Sequence, residues 1–249
     1  MPPKNLKIIS CKVLYRDLSR LCAESDNLTD VTYMRQSLHN VPAKFRDALQ
    51  TELDSIDGGE DAHTSYPPYD KDFDAILLGF GLCSGTVEGL RSKHTLVIPR
   101  VHDCIALFLG SHSRFAEFSA QNPGTYWYNR NWVEVTPVPG EPQHEALLKK
   151  YSARYDGARA EKLVRRAEEW REGYTGAAFI RSDLYDSADS EQVSQKAAEY
   201  IGWTHRTLDG DSTLLRDFIA GNWDSERFLV VPPGKTVVQT YDEKIIGTE

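Results

Sequence analysis

The chain has 249 residues, 40% of them hydrophobic, and a formal net charge of -8. That length buries a sizeable core, and charges scattered in both signs leave no basic face to neutralise a phosphate backbone, so nucleic acid is not an expected partner. Four cysteines are too few for a secreted disulfide scaffold, and none stands in a local Cys-x-x-Cys pair. If these thiols matter, they matter by meeting in space.

The apolar run Leu6 to Ile9 is far shorter than a secretory core or a membrane span, which makes the cytoplasm the expected compartment and a membrane no expected partner. Periodicity predicts a buried strand over Leu6 to Ser10, a helix over Leu14 to Glu24, and a second strand over Val31 to Met34. Pro42 stands where an N1 proline fits. It opens a helix with Phe45, Ala48, Leu49, Leu53 and Ile56 on one stripe, closed at Gly58-Gly59. The acidic, proline-bearing stretch from Glu60 to Asp72 reads as a solvated connection.

Phe73 to Phe80 and Thr95 to Ile98 are short apolar runs bounded by glycine or proline. They predict buried parallel strands, each followed by helix-forming sequence. From Asn122 to Pro142 the prolines and the run Tyr126-Trp127-Tyr128 predict an irregular insertion, with Tyr126, Trp127 and Trp132 as either a lid or a satellite core. Helical sequence from Glu145 to Arg171, broken near Asp156-Gly157, precedes strands at Ala177 to Ile180, Thr204 to Leu208 and Phe228 to Val231. Helices at Ser190 to Ile201 and Ser212 to Ile219 separate those strands. The expected fold is therefore α/β: a parallel, Rossmann-like sheet in two halves, residues 1–121 and 144–249, around an insertion at 122–143.

In an open α/β sheet ligands bind outside the carboxyl ends of the strands, and that rule selects three cysteines. Cys11 follows the first strand, Cys83 lies just beyond the strand ending near Phe80, and Cys104 lies beyond the strand ending near Ile98. Cys22, one turn from Leu18, reads as a packed core thiol. The loop Gly79-Phe80-Gly81-Leu82-Cys83-Ser84-Gly85 sets glycines around a cysteine, so that Gly81, Ser84 and Gly85 could let backbone approach a ligand. It lacks the spacing of a phosphate loop.

The second segment, Pro99-Arg100-Val101-His102-Asp103-Cys104, gathers a cation, an imidazole, a carboxylate and a thiol. Asp103 is expected as a helix N-cap, which would put Cys104 in the first turn, where the helix dipole favours thiolate. Arg100 is expected to join the ligand-contacting residues, with Asp103 and His102 as acid/base groups or supports of the metal ligands. Three thiolates could hold zinc with an open position, to which His102 is a natural fourth ligand, or an iron–sulfur cluster with one iron free of protein ligand. A metal-free dithiol pair of Cys83 and Cys104 ranks below both.

The segments Ile76-Leu77-Leu78-Gly79-Phe80-Gly81-Leu82-Cys83-Ser84-Gly85 and Pro99 to Ser111, with Pro123-Gly124-Thr125-Tyr126, Trp132, Gly221-Asn222-Trp223-Asp224 and Phe228 to Gly234, resemble the bacterial and archaeal domain-of-unknown-function family numbered 1638. Members resemble corrinoid-cluster proteins encoded beside corrinoid proteins and methyltransferases, and the resemblance implies a site at Cys11, Cys83, His102, Asp103 and Cys104. The chain has no Asp-x-His-x-x-Gly motif, so it is not expected to ligate a corrinoid itself. Two functions follow as expectations. One is a metal-thiolate protein, with a [4Fe-4S] cluster as first choice or zinc, acting on a small one-carbon or sulfur compound. The other is a non-catalytic accessory protein that hands a metal or cofactor to a methyltransferase system.

Overall fold

The computed structural model of the protein describes residues 2–35, 41–60 and 72–249. Most of the connection read between Glu60 and Asp72 lies outside them. In place of a division at residues 121 and 143, the chain forms two compact units. One comprises Met1–His112 with Ser212–Glu249, and the other Ser113–Asp211.

The first unit begins with β1 (Asn5–Cys11), a 3-10 turn at Lys12–Leu14, α1 (Tyr15–Glu24), β2 (Leu28–Met34) and α2 (Pro42–Asp57). Pro42 does open α2, whose buried Phe45, Leu49, Leu53 and Ile56 form one stripe. Each such side chain removed from water is worth about 1.5–3 kcal/mol. The stripe faces the sheet, with the Phe45 ring edge-on to Phe80 at 5.3 Å. Then come β3 (Ala75–Gly79), a 3-10 turn at Cys83–Gly85, β4 (Leu96–Pro99) and α3 (Ile105–Leu109). The helix expected between β3 and β4 is replaced by that short turn and by Gly85 and Gly89 at φ +85° and +82°. Those glycines break any helical run.

The second unit holds α4 from its second residue on (His112–Gln121), β5 (Thr125–Asn129), α5 (Arg130–Val135), α6 (Glu141–Ser152), α7 (Gly157–Glu168), a 3-10 stretch at Glu169–Gly173, β6 (Gly176–Arg181), α8 (Ala188–Ile201) and β7 (Thr204–Asp209). Its sheet is parallel in the order β5-β6-β7. The irregular insertion expected at 122–143 is therefore a regular strand and helix, because aromatic side chains favour a pleated, half-buried surface despite the neighbouring prolines. Alternation along β5 sends Tyr126 and Tyr128 into a core with Trp132, Tyr174 and Trp203, while Trp127 meets Phe115 and Phe118. Tyr126 and Trp132 are a satellite core. The break read at Asp156-Gly157 is the N-cap of α7, where the Asp156 carboxylate accepts from Arg159 N–H at 3.0 Å.

Returning to the first unit, the chain adds α9 (Thr213–Ala220), β8 (Phe228–Val231) and the hairpin of β9 (Val237–Gln239) and β10 (Ile246–Thr248). The main sheet has the order β2-β1-β3-β4-β8, with β1 to β4 parallel and β8 antiparallel. The protein is thus mixed α/β with mostly parallel sheets. The order reverses direction between β1 and β3, because β2 lies on one side of β1 and β3 on the other. Among the described residues, no helix is long and apolar enough to cross a membrane.

The amino edge of this sheet carries an ionic clasp. His94, just before β4, bonds Asp57 at the end of α2 through Nδ1 at 2.8 Å and Asp72, just before β3, through Nε2 at 2.7 Å. Two carboxylate partners require both ring nitrogens to donate. Burial pulls the imidazole down, yet the two carboxylates outweigh it and hold its pKa above the ordinary value, while Asp57 and Asp72 are held below theirs. A raised histidine stabilises fully below its unfolded pKa of about 6.5 and loses that contribution as pH rises through the folded value. The lowered carboxylates lose theirs as pH falls below about 4. The melting-temperature difference between wild type and His94→Gln is therefore expected to be larger at pH 6 than at pH 9. An equal difference at both would show that the clasp is not ionic.

Candidate functional site

The carboxyl edge of the parallel strands carries three thiols. Cys11 is the last residue of β1, Cys83 lies four residues beyond β3, and Cys104 lies five beyond β4. All three fall where β1, β3 and β4 point the same way, beside the order reversal at which such sheets bind ligands. Ser10 Oγ donates to Gly79 carbonyl at 3.2 Å, which zips the ends of β1 and β3 together.

Two loops are sewn to each other by main-chain bonds. Leu82 N–H donates to Val101 carbonyl at 2.8 Å and Cys83 N–H to His102 carbonyl at 3.0 Å. Gly81 makes this approach possible. A Cβ there would stand 2.9 Å from Val101 O, 3.0 Å from Asp103 N and 3.1 Å from His102 C. Thr86 Oγ1 holds Cys83 carbonyl at 2.8 Å and Arg46 Nη2 holds Gly85 carbonyl at 2.9 Å. Cys83 itself sits at φ +45°, the left-handed region that side chains other than glycine and asparagine avoid. Such strain costs of order 1–3 kcal/mol and gathers at functional sites.

Each sulfur lies in the field of the others. Burial pushes the Cys11 thiol up to about 11, with Asp103 adding to it; burial, then Asp103 and Cys11, push Cys83 up to about 12. Cys104 is raised well above the ordinary value by burial, by Asp103 and by both other cysteines, and its thiol is hydrogen-bonded to the Asp103 carboxylate. Opposing this, backbone amides favour ionised sulfur at two positions: Val13 N–H at Cys11, and Gly81 and Cys104 N–H at Cys83. Among the described residues, no group of three or more His, Cys, Asp or Glu is arranged to hold a metal ion. Neutral thiols gain nothing by converging, and sulfurs draw to about 2.3 Å only around a cation.

Several expectations change. Cys104 is the N-cap residue of α3, and Asp103, one place earlier, accepts from Ile105 N–H at 2.9 Å. The dipole of a five-residue helix does not make Cys104 a thiolate, because burial and Asp103 prevail. Arg100 is a staple and not a ligand-facing cation: its guanidinium donates to the carbonyls of Ser225 at 3.0 Å, Phe228 at 3.2 Å, Lys244 at 2.8 Å and Ile246. Gly81 serves loop packing and the Cys83 sulfur, while the Gly85 carbonyl is taken by Arg46. The side chain of Ser84 lies outside the described residues. Cys22 is half-buried, where full burial was expected, and bonds Thr29 across α1 and β2.

One neighbour has no counterpart among the residues singled out in the sequence. The ring of His112 stands edge-on to that of His102, with centroids 4.9 Å apart and planes at 62°. Gly110 at φ +78° ends α3 after five residues and brings His112 back to it. His112 Nδ1 is screened from solvent and has no hydrogen-bond partner among the described residues. Burial, then the neighbouring His102, hold its pKa below the ordinary value. A histidine placed just after a glycine that follows a short apolar helix is the signal the sequence offers for it.

Asp103 raises all three thiols, so its neutralisation lowers all three. In metal-free Asp103→Asn, labelling of Cys11, Cys83 and Cys104 by a thiol reagent at pH 8 is expected to speed up severalfold, since each pKa unit is about tenfold in thiolate. Asparagine accepts from Ile105 N–H as well as aspartate does, so stability should change by well under about 1 kcal/mol. An unchanged labelling rate would remove Asp103 from the field of the thiols.

These features define a mixed α/β protein with three thiols, one buried and two half-buried, at the carboxyl edge of a mostly parallel sheet. The model of the family described as "Protein of unknown function (DUF1638)" matches residues 33–219, and the chain belongs to that family. Cys83, His102, Asp103, Cys104 and His112 fall within the matched segment, and Cys11 precedes it. No curated protein and no solved structure matches the chain.

Proposed function

We propose that the chain is a metal-thiolate protein whose centre is held by Cys11, Cys83 and Cys104 at the mouth of a Rossmann-like sheet. The observation that carries this reading is the placement of three thiols from three separate segments at the carboxyl edge of β1, β3 and β4, Cys11 buried and Cys83 and Cys104 half-buried, within one another's field. Ionised together they repel, and a positive centre turns that repulsion into attraction. The donor set is soft and suits an iron–sulfur cluster with one iron free of protein ligand, or zinc with an open position. The amides of Val13, Gly81 and Cys104 stabilise and orient sulfur, as hydrogen bonds to ligating thiolates do elsewhere.

When bound, such a centre supplies a site for activating a small one-carbon or sulfur compound. The protein's own part is to shield the ligands in part from solvent, to hold Cys83 and Cys104 on two sewn loops, and to keep the Asp103 carboxylate hydrogen-bonded to the Cys104 thiol. A corrinoid protein or methyltransferase is the proposed partner on the family resemblance alone.

Protein isolated without oxygen is expected to be brown, with iron and sulfide, or colourless with stoichiometric zinc. A chain that carries neither, and takes up neither zinc nor iron with sulfide, would overturn the reading. Turnover of a methylated amine or thiol by the loaded protein would make it an enzyme; loading without turnover, and transfer to a methyltransferase, would make it an accessory.

A further inference from the structure

In the second unit, α6 starts without a cap. Its N-cap residue is Gly140, which has no side chain to offer, and no side-chain hydrogen bond closes this end of the helix. The helix leaves the N–H groups of Glu141 and Gln143 without an intrahelical carbonyl, while Pro142 has no N–H at all. Gly140 is buried beside Ala197 of α8.

A buried guanidinium stands at this helix end. Arg171, 8% exposed, donates through Nη2 to Gln143 Oε1 at 2.9 Å, in the first turn of α6, and pairs with Glu168 at 3.0 Å. Its Nε is shut off from solvent and has no acceptor among the described residues. Tyr128 of β5 is 1% exposed, and its hydroxyl is likewise buried without a partner among the described residues. Burial, then Tyr126, hold the Tyr128 pKa above the ordinary value against the pull of the Arg171 charge, so the phenol keeps the proton it can donate.

Two enclosed donors, beside an uncapped helix end, thus share one deficit, an acceptor. A water could accept from both, but it would bring two protons of its own. The acceptors near Arg171 are already engaged: Glu168 by Arg171 and His144, and Gln143 Oε1 by Arg171. A species that only accepts leaves no proton unmet, and the positive end of a helix favours the same charge.

We propose that Tyr128, Arg171 and the first turn of α6 bind a small monovalent anion, a halide or a carboxylate. The inference is independent of the thiol centre, whose cysteines belong to the first unit.

The test is thermal unfolding of the whole chain while sodium bromide or sodium formate replaces sodium gluconate, a bulky anion, at constant ionic strength. The melting temperature of wild type is expected to rise saturably with at least one of the two, because an anion that binds only the folded chain stabilises it by mass action. Tyr128→Phe keeps the ring and removes the donor. Its half-saturating anion concentration should be roughly tenfold higher, the scale of one hydrogen bond to a charged group. In gluconate alone it should be at least as stable as wild type, since the hydroxyl it lacks is unpaired there. Tyr155→Phe, which alters an exposed ring of the same unit, should respond as wild type does. Wild-type crystals soaked in bromide should show anomalous scattering beside Tyr128 Oη and Arg171 Nε, which answers the question even where Tyr128→Phe fails to fold. A response to bromide alone assigns a halide, and one to formate alone a carboxylate. Equal responses in wild type and Tyr128→Phe, or no response to either anion, would overturn the site. A water between the two donors, with bromide present as an adventitious ion only, would overturn it as well.

Discussion

Gly81→Ala is expected to lower the melting temperature clearly and to spoil metal loading at the same time. The added methyl would stand 2.9–3.1 Å from main-chain atoms of Val101, His102 and Asp103. These atoms cannot rotate away as a side chain could, because the Leu82–Val101 and Cys83–His102 hydrogen bonds hold them in place. Overpacking of this kind costs about 1–3 kcal/mol, and for a chain of this size each kcal/mol is worth about 2–4 °C. The same displacement separates the loop carrying Cys83 from the one carrying Cys104. Gly157→Ala is the control: a methyl added there meets nothing within 4 Å, and the residue sits in the first turn of α7. It should be neutral or slightly stabilising. Thermal unfolding of both variants, with metal content, decides it. A Gly81→Ala protein as stable as wild type and fully loaded would mean that the two loops are not held as described.

The second large effect concerns Cys83, and it turns on comparing two variants that both lack the thiol. Both Cys83→Ala and Cys83→Gly should lose most of the bound metal, since each leaves only two thiolates. Their stabilities should differ in the unusual direction. Glycine ordinarily destabilises relative to alanine, but at φ +45° a Cβ is strained, and removing it should make Cys83→Gly the more stable by about 1–2 kcal/mol. Denaturant unfolding of the two metal-free proteins measures this. If alanine proved the more stable, Cys83 would not occupy the left-handed region in solution. If either variant kept full metal, Cys83 would not be a ligand. Cys22→Ala, with its thiol tied to Thr29, should keep full metal.

Much of the first unit is legible in the sequence because its strands obey simple rules. Runs such as Ala75–Gly79 and Leu96–Pro99 are apolar throughout, as strands buried on both faces must be, and Pro42 marks a helix start by a mechanism confined to a few neighbouring residues. Strand direction decides which cysteines share an edge, and the parallel reading of β1, β3 and β4 is enough for that. What local pattern cannot convey is long-range. Phe228–Val231 has the same apolar character as the parallel strands, yet it returns from the far end of the chain to lie antiparallel beside β4, with Phe228 opposite Pro99. The regular strand and helix within 122–143 are hidden because proline and glycine outweigh the strand preference of Thr125–Asn129. Arg100 looks like a free cation beside a thiol, since its four carbonyl partners lie 125 to 146 residues away. His112 escapes a reading by local pattern because its approach to His102 depends on the tight turn at Gly110.

X-ray absorption at the metal edge of zinc-loaded protein tests the shared thiolate centre most directly. Three sulfur neighbours at about 2.3 Å are predicted in wild type, falling to two in Cys104→Ser. Nitrogen or oxygen neighbours alone, at about 2.0–2.2 Å, would place the ion elsewhere and contradict a centre built on Cys11, Cys83 and Cys104.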